Sequence, residues 1–219
     1  SHLSELKAKH TGQLFVCQAD VTNLAEVESC IDCMVKIYGG VDIAVHNACF
    51  CTFDGFEATS EATYRKVLDV NYFGALNLSR MVTPVMKAKG SGRVIFTSSG
   101  VGVTGFTNIS PYASSKGAIE SLAKCLRLEY KGSGISFHIM HPPLTRTLSA
   151  SPLPIPEEMK ADPQAVGYGL AKHILSGRFI ICPNGFQSAQ IWLSYLFPMK
   201  LGSLLSKMTA RYRSETFSQ

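Results

Sequence analysis

The sequence predicts an α/β fold, a doubly wound parallel sheet in a three-layer α/β/α arrangement, on three observations. Short runs of consecutive apolar residues alternate with longer stretches whose apolar residues recur every three to four positions, the pattern of strands buried on both faces between amphipathic helices. Glycines and prolines fall where the period changes. The 219 residues are 46% apolar and 17% charged, which is enough for one domain with a real core and unlike a disordered or collagen-like chain.

In chain order, Ser1 to His10 reads as a helix and Leu14-Phe15-Val16-Cys17 as a buried strand. From the cap candidate Thr22, the stripe Leu24, Val27, Ile31, Val35 and the stop at Gly39 mark a helix. Val41 to His46 is the next strand. The helical stretch from Ser60 to Lys89 contains Pro84, which lacks a backbone donor and is expected to bend or break it. Gly90 ends that stretch before a strand from Arg93 to Thr97. After a Gly-rich loop, Ile119, Leu122, Ala123 and Leu126 give the stripe of a further helix, stopped by Gly132 and Gly134 before the strand Ile135 to Met140. A Pro/Ser-rich stretch then runs from Pro142-Pro143 to Pro163. A helix near Ala165 to Leu175, a short strand Phe179 to Ile181 and an apolar tail follow. The expected division is an α/β unit over 1–183 and a helical extension over 184–219.

Composition narrows the function classes. Twenty-one basic against 16 acidic side chains give +5 without a Lys/Arg run, so no nucleic-acid partner is expected. Seven cysteines, odd in number and with no secretory leader, point to reduced thiols and a cytoplasmic, reducing compartment. No run reaches the about 18 apolar residues of a membrane span. Cys30-x-x-Cys33 and Cys49-x-Cys51 read as buried thiols, and the histidines, His138 and His141 included, as structural or pocket-lining; no metal is expected. For the tail Ile191 to Phe197, with Leu201, Leu204, Leu205 and Met208, two readings stand. It packs as a core or dimer helix, or it lies on a membrane surface through residues 186–213, with Lys200, Lys207, Arg211 and Arg213 at the headgroups and Trp192 and Tyr195 at the interface.

The chemistry concentrates on one helix. Tyr112 and Lys116, four apart, project from the same face. A phenol has an ordinary pKa of about 10, and a neighbouring ammonium is expected to lower it toward a value useful for proton transfer. Ser99 follows the strand Arg93 to Thr97, where its hydroxyl can point toward that helix. A Ser, Tyr and Lys set suits carbonyl reduction.

Ser98-Ser99, then Pro111-Tyr112-Ala113-Ser114-Ser115-Lys116 and Ala118, resembles the active-site segment of the short-chain dehydrogenase/reductase family, whose fold is Rossmann-like. Gln18-Ala19-Asp20-Val21 is similar to its adenine-contacting Asp-Val. His46-Asn47-Ala48-Cys49 is similar to its Asn-Asn-Ala-Gly turn, with His46 and Cys49 as departures. Asp69-Val70-Asn71 falls where its helix-borne Asn is expected. The resemblance implies an oxidoreductase moving hydride between NADP(H), the preferred cofactor, or NAD(H) and a carbonyl or alcohol. It implies Tyr112 as general acid, and Lys116 as the group lowering the Tyr112 pKa and binding ribose hydroxyls. Ser99 would hold the carbonyl oxygen, and Asn71 a water for proton resupply. Asp20, Val21, Asn47, Ala48, Cys49, Val70, Pro142, Thr145 and Thr147 would line the cofactor, together with Tyr112 and Lys116.

The segment His141-Pro142-Pro143-Leu144-Thr145-Arg146-Thr147 with its apolar extension looks more like the 3-ketodihydrosphingosine reductase branch than the sugar or steroid branches. That implies an apolar substrate, a 3-keto sphingoid base foremost, with a steroid, retinoid or fatty-acyl ketone also open. Leu148 to Pro163 would form its lid, and the resemblance implies a homodimer or homotetramer. The family's Gly-rich turn after a first strand does not occur here, so the chain reads as lacking its first βαβ unit, about 35 to 50 residues. That gap, with Cys49, keeps open a catalytically inactive scaffold or regulatory protein as the alternative.

Overall fold

The structure is a computed structural model that describes residues 2–151 and 153–217. Pro152 of the expected lid and the side chain of Arg213 lie outside the described residues. Nine helices and four strands follow in chain order among them: α1 (His2–Lys9), α2 (Leu24–Tyr38), β1 (Ile43–His46), α3 (Glu61–Leu68), α4 (Gly74–Lys89), β2 (Gly92–Thr97), α5 (Val101–Thr104), α6 (Ser110–Glu129), β3 (Ile135–Met140), α7 (Pro163–His173), β4 (Ile180–Ile181), α8 (Gly185–Leu196) and α9 (Pro198–Phe217). The strands form one parallel sheet in the order β1-β2-β3-β4.

Alternation along the strands sends side chains to two cores, as the period of two requires. On one face Val94, Phe96, Phe137 and Ile139 pack with Ala75, Val82 and Met86 of α4 and Ile119 and Ala123 of α6. On the other, Ile95, Met140 and Ile181 pack with Leu170 of α7. The three-layer α/β/α arrangement expected from the sequence is therefore present, and it brings the carboxyl ends of β1, β2 and β3 beside the start of α6.

Three local expectations need correction. Leu14 to Cys17 is not a strand; Phe15 and Val16 are 37% and 36% exposed, and among the described residues no strand pairs with them. Asn23, not Thr22, caps α2 by accepting from the Ala25 N–H, since the Thr22 hydroxyl donates to Asp20 Oδ1 at 2.8 Å. The stretch Ser60 to Lys89 is interrupted not at Pro84, which sits inside α4, but by a π-helical turn, Asp69–Phe73, between α3 and α4. In that wider turn the Gly74 N–H bonds to the Asp69 carbonyl.

The tail forms two helices. α8 turns Gln187, Ile191 and Ser194 inward and leaves Phe186, Trp192, Leu193 and Leu196 exposed, as are Phe197, Met199 and Leu204 beyond it. Among the described residues no helix is long and apolar enough to cross a membrane.

Candidate active site

α6 opens with Pro111 in its first turn, where a missing N–H costs nothing. Tyr112 and Lys116 then fall on the face turned toward β2. Lys116 is 1% exposed. Its ammonium donates to the Thr97 carbonyl at 2.7 Å and lies 5.5 Å from the centre of the Tyr112 ring. α5 is held against this turn of α6 because Gly102 has no side chain: a Cβ there would meet the Lys116 Cβ at 2.8 Å. Gly100-x-Gly102 is thus a close-packing device beside the lysine.

Ser99 follows β2 with its hydroxyl beside that of Tyr112, and the Cys49 thiol lies beside it too. The direction of the Tyr112 pKa runs against the sequence expectation. Burial raises it well above the ordinary phenol value, Cys49 and Cys51 add to the rise, and the Ser99 hydroxyl offsets part of it. Burial pulls the Lys116 ammonium below its usual range, with Cys49 and Cys51 acting the other way. Cys51 is itself pushed up to about 12, chiefly by burial.

The π-helical turn puts Asn71, fully buried, between this group and the loop after β1. Its amide nitrogen donates to the Phe50 carbonyl at 3.0 Å and to Ser115 Oγ at 2.9 Å. Its Oδ1 accepts from the Phe50 N–H at 2.8 Å. Phe50 stands between Cys49 and Cys51, so these bonds hold both thiols beside Tyr112. The Ser115 hydroxyl in turn donates to the Tyr112 carbonyl at 2.7 Å. The Asn71 side chain is thus engaged with protein groups.

The remaining expected residues lie around this centre. Asn47 accepts from the Thr97 hydroxyl at 2.9 Å, and Ala48 and Cys49 are half-buried behind it. Val21 docks on α4, its carbonyl accepting from Asn77 at 3.0 Å. It does so across Gly74, where a Cβ would meet Val21 Cγ2 at 2.8 Å and His46 Nε2 at 3.0 Å. His46 is buried, and desolvation, with the Lys116 charge, lowers it to about 4, the nearby Val70 backbone acting the other way. Pro142 follows the buried His141. Asp20, Thr145 and Thr147 bond within their own loops: Asp20 accepts from the Thr22 N–H at 2.9 Å, which with the Thr22 hydroxyl lowers its pKa. Thr145 donates to the Pro143 carbonyl at 2.7 Å and Thr147 to the Thr145 carbonyl at 3.4 Å.

Sequence reasoning missed one cluster. Glu120, one turn beyond Lys116 and 3% exposed, accepts from Ser98 Oγ at 2.7 Å and from the Tyr195 hydroxyl of α8. His141 Nε2 lies 2.9 Å from its Oε1. Burial pushes the Glu120 carboxyl up, but His141, Tyr195 and Ser98 outweigh it and hold it below the ordinary range. One carboxylate therefore joins the ends of β2 and β3, α6 and α8. The i, i+4 spacing from Lys116 was the available signal.

A cleft lies elsewhere. About 500 Å³ opens between α4 and α6, lined by Arg80, Thr83, Lys87, Leu126 and Tyr130 among others, away from the chemistry-bearing side chains.

The fold and this set of side chains define an α/β protein with a Ser, Tyr and Lys centre at the carboxyl edge of a parallel sheet. Residues 1–156 match the pattern of the short chain dehydrogenase family, and the chain belongs to that family. It is similar to the 3-ketodihydrosphingosine reductase of Dictyostelium discoideum, 32% identical over 211 residues, covering 94% of this chain and 61% of that protein. It is also similar to oxidoreductase UcpA of Salmonella typhimurium, 34% identical over 161 residues, 72% of this chain and 60% of that protein. The chain thus spans about six-tenths of the length of these relatives. Among solved structures, a short-chain dehydrogenase from Streptomyces avermitilis superposes with TM-score 0.77 at 22% identity, over 99% of this chain and 85% of that one. A short chain dehydrogenase/reductase from Burkholderia phymatum, in complex with NAD, superposes with TM-score 0.78 at 18% identity over 89% of this chain and 79% of that one. At these identities the likeness is one of fold.

Proposed function

We propose that the protein is an NAD(P)-dependent oxidoreductase that reduces a carbonyl on an apolar substrate, with NADP(H) as the preferred cofactor and a 3-keto sphingoid base as the specific substrate. The observation that carries the reading is the convergence of Ser99, Tyr112 and Lys116 on one volume, with the ammonium buried and bonded to backbone. The residues suit the nicotinamide-ribose end of such a cofactor. Lys116 has three donors, one of which meets Thr97, leaving two for ribose hydroxyls, while Asn47 and Ala48 edge the same space. When bound, the nicotinamide supplies the hydride.

The protein's own groups do the rest. Ser99 donates to the carbonyl oxygen, stabilising the charge that develops there. Tyr112 gives its proton to that oxygen; its raised pKa keeps the phenol protonated beforehand, and the stronger basicity of the alkoxide that forms draws the proton across. Lys116 orients the ribose, and its ammonium favours the phenolate left once the proton has gone. Asn71, through Phe50 and Ser115, holds the walls of the site. The apolar side chains of the Leu148 to Pro163 stretch, with Leu148 92% exposed, are available to cover a hydrocarbon chain. The likeness to the Dictyostelium reductase over 94% of this chain favours the sphingoid substrate. In the same reading the exposed apolar face of α8 and α9, with Lys200 and Lys207, rests on a lipid surface; co-sedimentation with liposomes tests this, and failure to bind would overturn it.

The experiment is oxidation of NADPH by the purified protein with a long-chain 3-ketone, for wild type and Tyr112→Phe. Turnover falls by about 10²- to 10⁴-fold while NADPH binding persists. Equal turnover in the two proteins would remove the catalytic assignment, and absence of both turnover and binding would favour the scaffold alternative.

A further inference from the structure

Cys17 and Cys30, 13 residues apart, sit with their sulfurs 2.7 Å from each other, the Cys30 thiol donating to Cys17. Both are free thiols, and their separation is not far above the covalent S–S length of about 2.05 Å. Cys17 is exposed, on the segment that precedes α2, and Cys30 lies half-buried on α2. Cys33 follows one helical turn later, close enough for its charge to bear on Cys30. Two further bonds tie the start of α2 to this segment: the Asp20 N–H donates to Glu26 Oε2 at 2.7 Å and Asn23 Nδ2 to Glu26 Oε1 at 2.7 Å.

We propose that Cys17 and Cys30 form a reversible oxidation site, which a peroxide closes to a disulfide pinning the segment before Asp20 onto α2. Cys17 is the sulfur that meets the oxidant, being exposed and the acceptor of the Cys30 S–H. Its thiolate attacks the peroxide: an S–O bond forms, the O–O bond breaks, and hydroxide leaves with the thiol's proton as water. Cys30 then attacks the resulting sulfenic sulfur. The S–S bond forms, the S–O bond breaks, and the second hydroxide leaves as water with the Cys30 proton. Two thiols lose two electrons and one peroxide gains them; a small dithiol reverses the change by exchange. The hydrogen bond to Cys17, ahead of burial, pushes Cys30 up to about 11, so it holds its proton until this second step. Such a pair fits a reducing compartment, where disulfides are transient and redox-responsive. The other thiols are placed differently: Cys125 is exposed on α6, Cys182 is buried, and Cys49 and Cys51 face Tyr112.

The test treats the full chain with equimolar hydrogen peroxide, alkylates the remaining thiols, and digests at acidic residues. Asp20, Glu26, Glu28 and Asp32 lie between the three cysteines, so the fragments separate. The expected result is loss of two of the seven thiols and a Cys17–Cys30 cross-linked fragment lighter by two hydrogens, restored by a dithiol. Hydrogen exchange over residues 14–22 should slow in the oxidised form. Cys33→Ser should oxidise as wild type does. Cys30→Ser should leave a Cys17 sulfenic acid that dimedone traps. Seven intact thiols, a Cys30–Cys33 or Cys49–Cys51 link, or a cross-link between chains would overturn the proposal.

Discussion

At Lys116 a charged side chain is 1% exposed, its ammonium donates to a backbone carbonyl at 2.7 Å, and neighbouring polar groups are held by residues from other elements. At Asp20 the carboxylate stands in solvent and its nearest partners are Thr22 and, through its N–H, Glu26. The chemical side of the site is built by long-range packing of α6, β2, β3 and α8, while the Asp20 side is built by contacts within a few residues. Packing at native density makes the first rigid and cooperative, whereas a segment with few buried contacts opens locally. Perturbations should therefore be global on one side and confined on the other.

The largest effect is expected at Glu120. Glu120→Ala removes at once the acceptor of Ser98 and Tyr195 and the carboxylate beside His141, and should cost about 3–5 kcal/mol in urea unfolding. The loss should be felt throughout the α6 side; a change below about 1 kcal/mol would show that the cluster is not a tie between elements. Next comes acid. His46 and His138 are lowered to about 4 by burial, from an ordinary 6.5. Between those values the unfolded chain binds protons the folded one refuses, so stability is full above pH 6.5 and falls as pH drops toward 4. The loss should be up to about 3 kcal/mol per histidine, and His138→Asn should flatten part of the slope. A stability constant from pH 7 to pH 4 would contradict the buried neutral state.

Gly74→Ala should cost about 1–3 kcal/mol, because its methyl group would press on Val21 and His46. It bridges the two sides, so hydrogen exchange should rise both around Val21 and around Asn71. The smallest effect belongs to Asn23→Ala, which removes the α2 cap at about 1 kcal/mol. Exchange should quicken in residues 14–27 alone; a matching rise at α6 would erase the contrast between the two regions.

The parts legible in the sequence are those whose signal is local. The strand Ile135–Met140 and the stripe of α6 appear where their periods place them, and Ser99, Tyr112 and Lys116 meet as their spacing implies. Leu14 to Cys17 has the apolar run of a strand but not the neighbour that would make it one, and a run alone carries no information about neighbours. For Glu120 only the i, i+4 spacing from Lys116 was legible, and its role was not, for a related reason: its partners Ser98 and Tyr195 lie 22 and 75 residues away. The Tyr112 pKa followed burial and two thiols brought up by the Asn71–Phe50 bonds, neither of which is visible in a four-residue spacing.

The π-helical turn Asp69–Phe73 carries a consequence for length. It holds one residue more than a regular helix would use, and successive residues on a helix differ by about 100° in direction. Delete one residue there and the stretch could wind as unbroken α-helix, locally the better hydrogen-bonded state. Asn71 would then turn away from Phe50 and Ser115, and the thiols beside Tyr112 would lose their anchor. The site thus depends on a count of residues as much as on their kinds, and a shortened chain could keep every functional side chain, gain helix, and lose the pocket.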